Sequence, residues 1–227
     1  LSVVKGCPAG SLAPDRTPWE VVAPRFAFVD ELEKQRFRVH GAGSLDRFDY
    51  WLNTLKYHRS LAQLRCALTR SNATEITRLY GDTYRYLLAT VNTPGALAMV
   101  VNMENHPGWG ASVAQHAAQP WPTNYQGAPR LIVPTVRSVV EHGEALTLKV
   151  IALDDQPVRS LTLHWRTLGR GGYQKVAATH LARAVYAVAL PPAANDFEYY
   201  ISAETAKGHK LVWPVTAPAL NQAVVVM

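Results

Sequence analysis

The sequence predicts an α+β chain of more than one domain, with an N-terminal three-helix segment followed by an all-β antiparallel sandwich. Three observations carry this. Up to about residue 104, apolar residues recur three and four apart, the spacing of a helix with one buried face. Beyond residue 130 the period falls to two, the spacing of strands with one buried face. Between them, residues 105–129 ("NHPGWGASVAQHAAQPWPTNYQGAP") are rich in Pro, Gly and Trp and read as a linker or long packed loop. The expected boundaries are therefore 1–23, 24–104, 105–129 and 130–227.

Residues 1–23 hold Pro8, Pro14, Pro18, Gly6 and Gly10 and read as extended, irregular chain, fastened by Trp19, Val21 and Val22. Pro24 suits a first helical turn, and Phe26, Val29 and Leu32 then fall three apart. That helix should fade before "HGAG" at 40–43. Ser44 is a good N-cap for a second helix, in which Phe48, Trp51, Leu52 and Leu55 share a face continued by Leu61, Leu64 and Leu68. Trp51, like Trp165 further on, is expected in the core. "SNAT" at 71–74 breaks the helix. A third follows with Ile76, Leu79, Tyr80, Tyr84, Leu87, Leu88 and Val91, and Thr93-Pro94-Gly95 stops it. The apolar run "ALAMVVNME" leans helical.

In the second half, "ALTLKVIAL", "VRSLTLHWRTLG", "GYQKVAAT", "RAVYAVALP" and "FEYYISAET" alternate apolar and polar residues, separated by "GRGG", "HLA" and "PPAAND". In "DFEYYISAETAKGHKLVWP", Phe197, Tyr199, Ile201 and Ala203 should face one way and Tyr200, Ser202 and Glu204 the other. "AKGH" would supply a hairpin turn. About seven strands fit residues 131–226. A sandwich of about seven strands in about 100 residues is immunoglobulin- or fibronectin type III-like, here without the Cys pair of true immunoglobulin domains.

Composition narrows the function classes. The chain is 48% hydrophobic and 18% charged, with a net charge of +6 spread over both halves. Nucleic-acid binding wants a concentrated basic face with aromatic residues inside it, and none is visible. No run of about 18 apolar residues occurs, so no membrane span is expected. Cys7 and Cys66 are too few for a disulfide scaffold and lack metal-ligand spacing; one bridge and two unpaired thiols both stay open. No signal peptide opens the chain. Its start at Leu1 reads as a mature product or a piece of a longer chain.

The tail phrase "F-x-Y-Y-I-x-A … G … WP-x-TAP", written here as "DFEYYISAETAKGHKLVWPVTAP", resembles the last two strands of the fibronectin type III-like accessory domains of large secreted bacterial polysaccharide-degrading enzymes. "PRFAFVDELEK" and "RFDYWLNTLKYHR" resemble helices that follow the catalytic barrel in such glycoside hydrolases. The resemblance spans most of residues 24–226. It implies a secreted, periplasmic or cell-surface protein whose catalytic domain lies upstream, because a (β/α)₈ barrel needs about 250 residues and eight strand–helix units.

Candidate chemistry is sparse. Glycoside hydrolysis needs two carboxyl groups close together. Glu104, in "VNMENHPGW", is the weak catalytic candidate, since an apolar setting raises a carboxyl pKa; capping the next turn explains it equally. Asp46 and Asp49 suit the first turn of a helix. The eight histidines show no zinc spacing, no G-x-S-x-G elbow occurs, and "GRGG" reads as a hairpin turn. Neither metal nor cofactor is expected. Sugar rings stack on exposed aromatic faces, so Trp109, Trp121 and Tyr125 are the candidate carbohydrate-binding residues, against the alternative that they staple the two domains. The expectation is a non-catalytic C-terminal portion of a secreted carbohydrate-active enzyme, partnered by an upstream catalytic domain or chain and by polysaccharide. The alternatives are a free-standing carbohydrate-binding module and an adhesin or interaction subunit of a surface complex.

Overall fold

The computed structural model describes residues 13–69, 73–105 and 125–227, with backbone alone at 99 and 101–105. The chain is α+β and divides into two compact units, residues 1–124 and 125–227. The division falls inside the Pro/Gly/Trp-rich stretch, leaving 125–129 with the β unit.

The first unit is helical: α1 (Trp19–Val22), a 3₁₀ turn (Ala23–Phe26), α2 (Ala27–Gln35), a second 3₁₀ turn (Arg36–Arg38), α3 (Ala42–Ala67), α4 (Ala73–Ala89) and α5 (Pro94–Asn105). α3 starts before Ser44. Gly41 is its N-cap at φ +83°, a backbone state that glycine enters without steric cost, and its carbonyl accepts from the Ser44 and Leu45 N–H groups. α4 ends at Ala89, before Thr93-Pro94-Gly95, and those residues open the next helix instead: Pro94 begins α5, and the Thr93 hydroxyl accepts from the Ala96 N–H at 3.1 Å.

α3 and α4 pack through Leu61, Leu64, Ala67, Leu68, Ile76 and Leu79. Ser60 and Thr83 are buried in the same contact; their hydroxyls lie 2.9 Å apart, both within reach of the Leu79 carbonyl, so this polar pair is satisfied. Ion pairs tie α2 and the 3₁₀ turn after it to α3: Asp30–Arg59 at 2.6 Å, Glu33–Lys56, and Arg36–Asp49 with two bonds of 2.6 and 2.7 Å. The numbers rise along one helix as they fall along the other, so the helices run antiparallel. Exposed pairs of this kind contribute about 0–1 kcal/mol each and chiefly fix register.

Trp51 corrects the sequence reading. It is 62% exposed, its ring edge-on to that of Tyr50 with centroids 5.3 Å apart, while its neighbour Leu52 is 3% exposed. One residue along a helix turns about 100°, so Leu52 and Trp51 cannot both point at the same partner, and α3 turns Leu52 inward.

The second unit has ten strands: β1 (Arg130–Ile132), β2 (Val139–Val140), β3 (Leu146–Leu153), β4 (Ser160–Thr167), β5 (Gln174–Ala177), β6 (Thr179–Ala182), β7 (Val185–Leu190), β8 (Phe197–Glu204), β9 (Lys210–Trp213) and β10 (Gln222–Val226). One sheet runs β1-β3-β7-β6; the other runs β2-β10-β8-β4-β5, with β9 also on β8. Every pairing is antiparallel except β2 with β10. One core draws on both sheets: Leu146, Leu148 and Val150 from β3, Tyr186, Val188 and Leu190 from β7, Leu161 and Leu163 from β4, and alternate residues of β8.

"HLA" is part of strand β6, not a separator. All four β6 residues are exposed, so no apolar alternation marks it, and the reversal falls one residue later at Arg183, φ +52°. "GRGG" does join β4 to β5, with Gly169 and Gly171 at positive φ. At "AKGH" the Thr205 N–H meets the His209 carbonyl and Gly208 sits at φ +81°, closing the β8–β9 hairpin.

Candidate functional site

β8 alternates strictly. Phe197, Tyr199, Ile201 and Ala203 are 2%, 0%, 0% and 5% exposed, and Glu198, Tyr200, Ser202 and Glu204 take the outer face. Register then sets their neighbours. On β4, Arg166 lies opposite Glu198, His164 opposite Tyr200 and Thr162 opposite Ser202; on β5, Lys175 lies opposite His164.

The result is a joined aromatic and polar face. The His164 ring stacks flat on Tyr200, centroids 4.4 Å apart and planes within 1°. Tyr173 meets Tyr200 edge-on at 5.2 Å, and the Arg166 guanidinium lies 4.4 Å over the Tyr173 ring. Asn221 donates to the Tyr173 hydroxyl at 2.6 Å and to Glu198 Oε2 at 2.8 Å. Glu198 Oε1 also accepts from Arg166 Nε at 2.8 Å and from the Gly169 N–H at 3.3 Å. The Asn221 bond, then Arg166 and the Gly169 amide, hold the Glu198 carboxyl below its usual range against the opposing effect of burial.

His164 Nε2 lies 2.8 Å from Ser202 Oγ, a contact of the nucleophile–base kind. Burial, with Lys175 beside it, lowers the imidazole pKa. No carboxylate orients that ring among the described contacts, because Glu198 is committed to Arg166 and Asn221. Glu198 and Glu204 are six residues apart on one strand, about 20 Å. Paired glycosidase carboxyls stand about 5–9.5 Å apart.

The sequence-predicted residues lie elsewhere. Glu104 is in α5, where the backbone alone is described. Trp109 and Trp121 lie outside the described residues. Tyr125 is half-buried: its hydroxyl donates to the Ala128 carbonyl at 3.0 Å, and its ring occupies the space a side chain on Gly127 would need. Burial raises the Tyr125 hydroxyl pKa. Cys66 is buried in α3 and Cys7 lies outside the described residues. Sequence reasoning placed Tyr200 on the outward face of its strand but missed His164, Arg166, Tyr173 and Asn221, which join it from three other segments. His164 and Arg166 are signalled only as polar residues among the outward positions of β4, and Tyr173 and Asn221, just before β5 and β10, carry no periodic signal.

Among the described residues, no group of three His, Cys, Asp or Glu is placed to hold a metal, and no helix is long and apolar enough to cross a membrane.

No family model matches the sequence, and no curated protein matches it. Two solved structures show a loose likeness. One is a chain from the structure of T cell specificity and activation by the bacterial superantigen toxic shock syndrome toxin-1, with TM-score 0.34 and 9% identity, over 44% of this chain and 100% of that one. The other is a DUF4785 family protein from Legionella pneumophila, with TM-score 0.32 and 14% identity, over 42% of this chain and 28% of that one. At these scores neither likeness speaks to function.

Proposed function

We propose that these 227 residues are the non-catalytic C-terminal portion of a secreted carbohydrate-active enzyme: a helical segment and a fibronectin type III-like sandwich that support an upstream catalytic domain and contact its polysaccharide. One observation carries the reading. The tail phrase that resembles the closing strands of such accessory domains is a hairpin whose Phe197, Tyr199, Ile201 and Ala203 fill a core shared by two sheets. That hairpin and two sheets sharing one core over about 100 residues, antiparallel but for the β2–β10 pair, support the reading. The outward residues of the same strands add stacked rings, an amide and hydroxyls, which suit sugar hydroxyls and C–H faces. Trp109, Trp121 and Tyr125 belong to the same reading as further sugar-contacting rings.

Incubating the chain alone with a panel of plant and algal polysaccharides tests the non-catalytic part. No release of reducing ends is expected; robust hydrolysis by residues 1–227 overturns it. The coding sequence directly upstream of Leu1 tests the rest, and an in-frame catalytic domain is the expected result.

A further inference from the structure

A cavity of about 370 Å³ opens among α1, the first 3₁₀ turn, α2, α3 and α4. Its volume lies at the lower end of small-molecule sites and accommodates about one or two sugar rings. Its walls combine two chemistries. Trp19 and Phe26 contribute rings stacked on one another at 6.1 Å, and α4 contributes Tyr86. The lining also holds the Gln63 amide and four charged side chains.

Those four charges decide the ligand class. Asp30 pairs with Arg59 at 2.6 Å, and Asp82 pairs with Arg78 at 2.9 Å. Arg85, outside the lining, also reaches Asp82 at 2.9 Å. The lining is thus neutral in sum, and each guanidinium already faces a carboxylate. An anionic ligand would compete with those carboxylates at close range, costing about 1–4 kcal/mol per like-charge contact at 4 Å. A wholly apolar ligand would strip water from the ion pairs and the amide and return no hydrogen bonds. A neutral polyhydroxylated ring meets both demands: its hydroxyls donate to Asp30 and Asp82 and accept from Arg59, Arg78 and Gln63, and its C–H face lies on Trp19, since the Tyr86 ring already carries the Arg85 guanidinium at 4.7 Å.

We infer that the cleft of the helical unit is a binding site for a neutral glycan, one or two sugar units long, with Trp19 as its stacking ring. The inference deepens the proposed function and rests on it only for glycan as the ligand class.

Calorimetric titration of the full chain tests it, with neutral tetrasaccharides (cello-, xylo-, manno- and laminaritetraose) against tetragalacturonate as the acidic probe. Binding of at least one neutral probe and none of the acidic one is expected. Trp19→Ala should weaken that binding about tenfold, the loss of one ring contact, while Trp51→Ala, exposed and outside the cleft, should leave it unchanged. Asp30→Asn frees Arg59 and makes the lining net positive, so it should gain affinity for tetragalacturonate, a result that misfolding cannot produce. Neutral binding unaffected by Trp19→Ala overturns the site, as does preference for the acidic probe in the unaltered chain, or Asp30→Asn without that gain. Absence of binding to every neutral probe at millimolar concentration also overturns it, while the hydrolysis assay still decides the non-catalytic role separately.

Discussion

Replacing Tyr199 by Phe should stabilise the β unit. Tyr199 is 0% exposed, at the centre of the core formed by both sheets, and its hydroxyl has no hydrogen-bond partner among the described residues. Burial drives the pKa of that hydroxyl well above its ordinary value. A hydroxyl buried without a partner costs about 1–3 kcal/mol. Deleting its oxygen leaves a gap of about 10 Å³, worth about 0.2 kcal/mol at about 24 cal/mol per Å³. The ring itself stays, with its 6.0 Å stack on Trp213 and its contact with Phe197. The net expectation is a gain of about 1 kcal/mol. For a unit of this size that raises the midpoint of thermal unfolding by about 4–6 °C. Urea denaturation followed by near-ultraviolet circular dichroism reads the same change as a higher midpoint at unchanged slope. Tyr199→Ser keeps a hydroxyl but removes the ring, and should cost about 3–5 kcal/mol, as deletion of a buried aromatic ring does. A loss of more than about 1 kcal/mol in Tyr199→Phe would refute the reasoning, because it would mean that the hydroxyl holds a stabilising bond.

Two further predictions separate core from surface and bonded from free. Trp51→Ala should change stability by less than about 1 kcal/mol, and Leu64→Ala, at 0% exposure between α3 and α4, should cost about 2–5 kcal/mol, both read from urea midpoints. Glu198→Gln should lower the stability of the β unit at pH 7 by about 2 kcal/mol, the worth of hydrogen bonds to a charged carboxylate. Because the folded pKa of Glu198 lies below its ordinary 4.5, its contribution is present above pH 4.5 and is lost as pH falls through the folded value. The two proteins should therefore converge in acid, and a gap that persists unchanged at the lowest pH would count against the assignment.

Much of the β unit was legible because strand side chains alternate by geometry. "FEYYISA" shows which residues of β8 face inward, since a buried face admits Phe, Tyr and Ile at every second place. β6 was missed for the same reason: a short edge strand with both faces exposed carries no alternation to read. In the helical unit α4 shows a clear stripe, whereas α3 meets different partners along its 26 residues, so its buried face shifts and Trp51 was misassigned. The two candidate sites were less legible still. Ser202 and His164 are 38 residues apart, Asn221 and Tyr173 48, and Arg59 and Asp30 29.

By itself, then, the sequence determined most of the kinds of element, the switch from a helical to an alternating period near residue 130, and the inner residues of β8. These follow from the 3.6- and 2-residue periods, which are local properties of the backbone. Tertiary structure alone decided that His164 lies on Tyr200, that Asn221 reaches Glu198, and that Asp30 in the helical cleft meets Arg59. A period fixes the direction in which a side chain points. Its neighbour is set by strand order and helix register, which depend on packing across the whole unit.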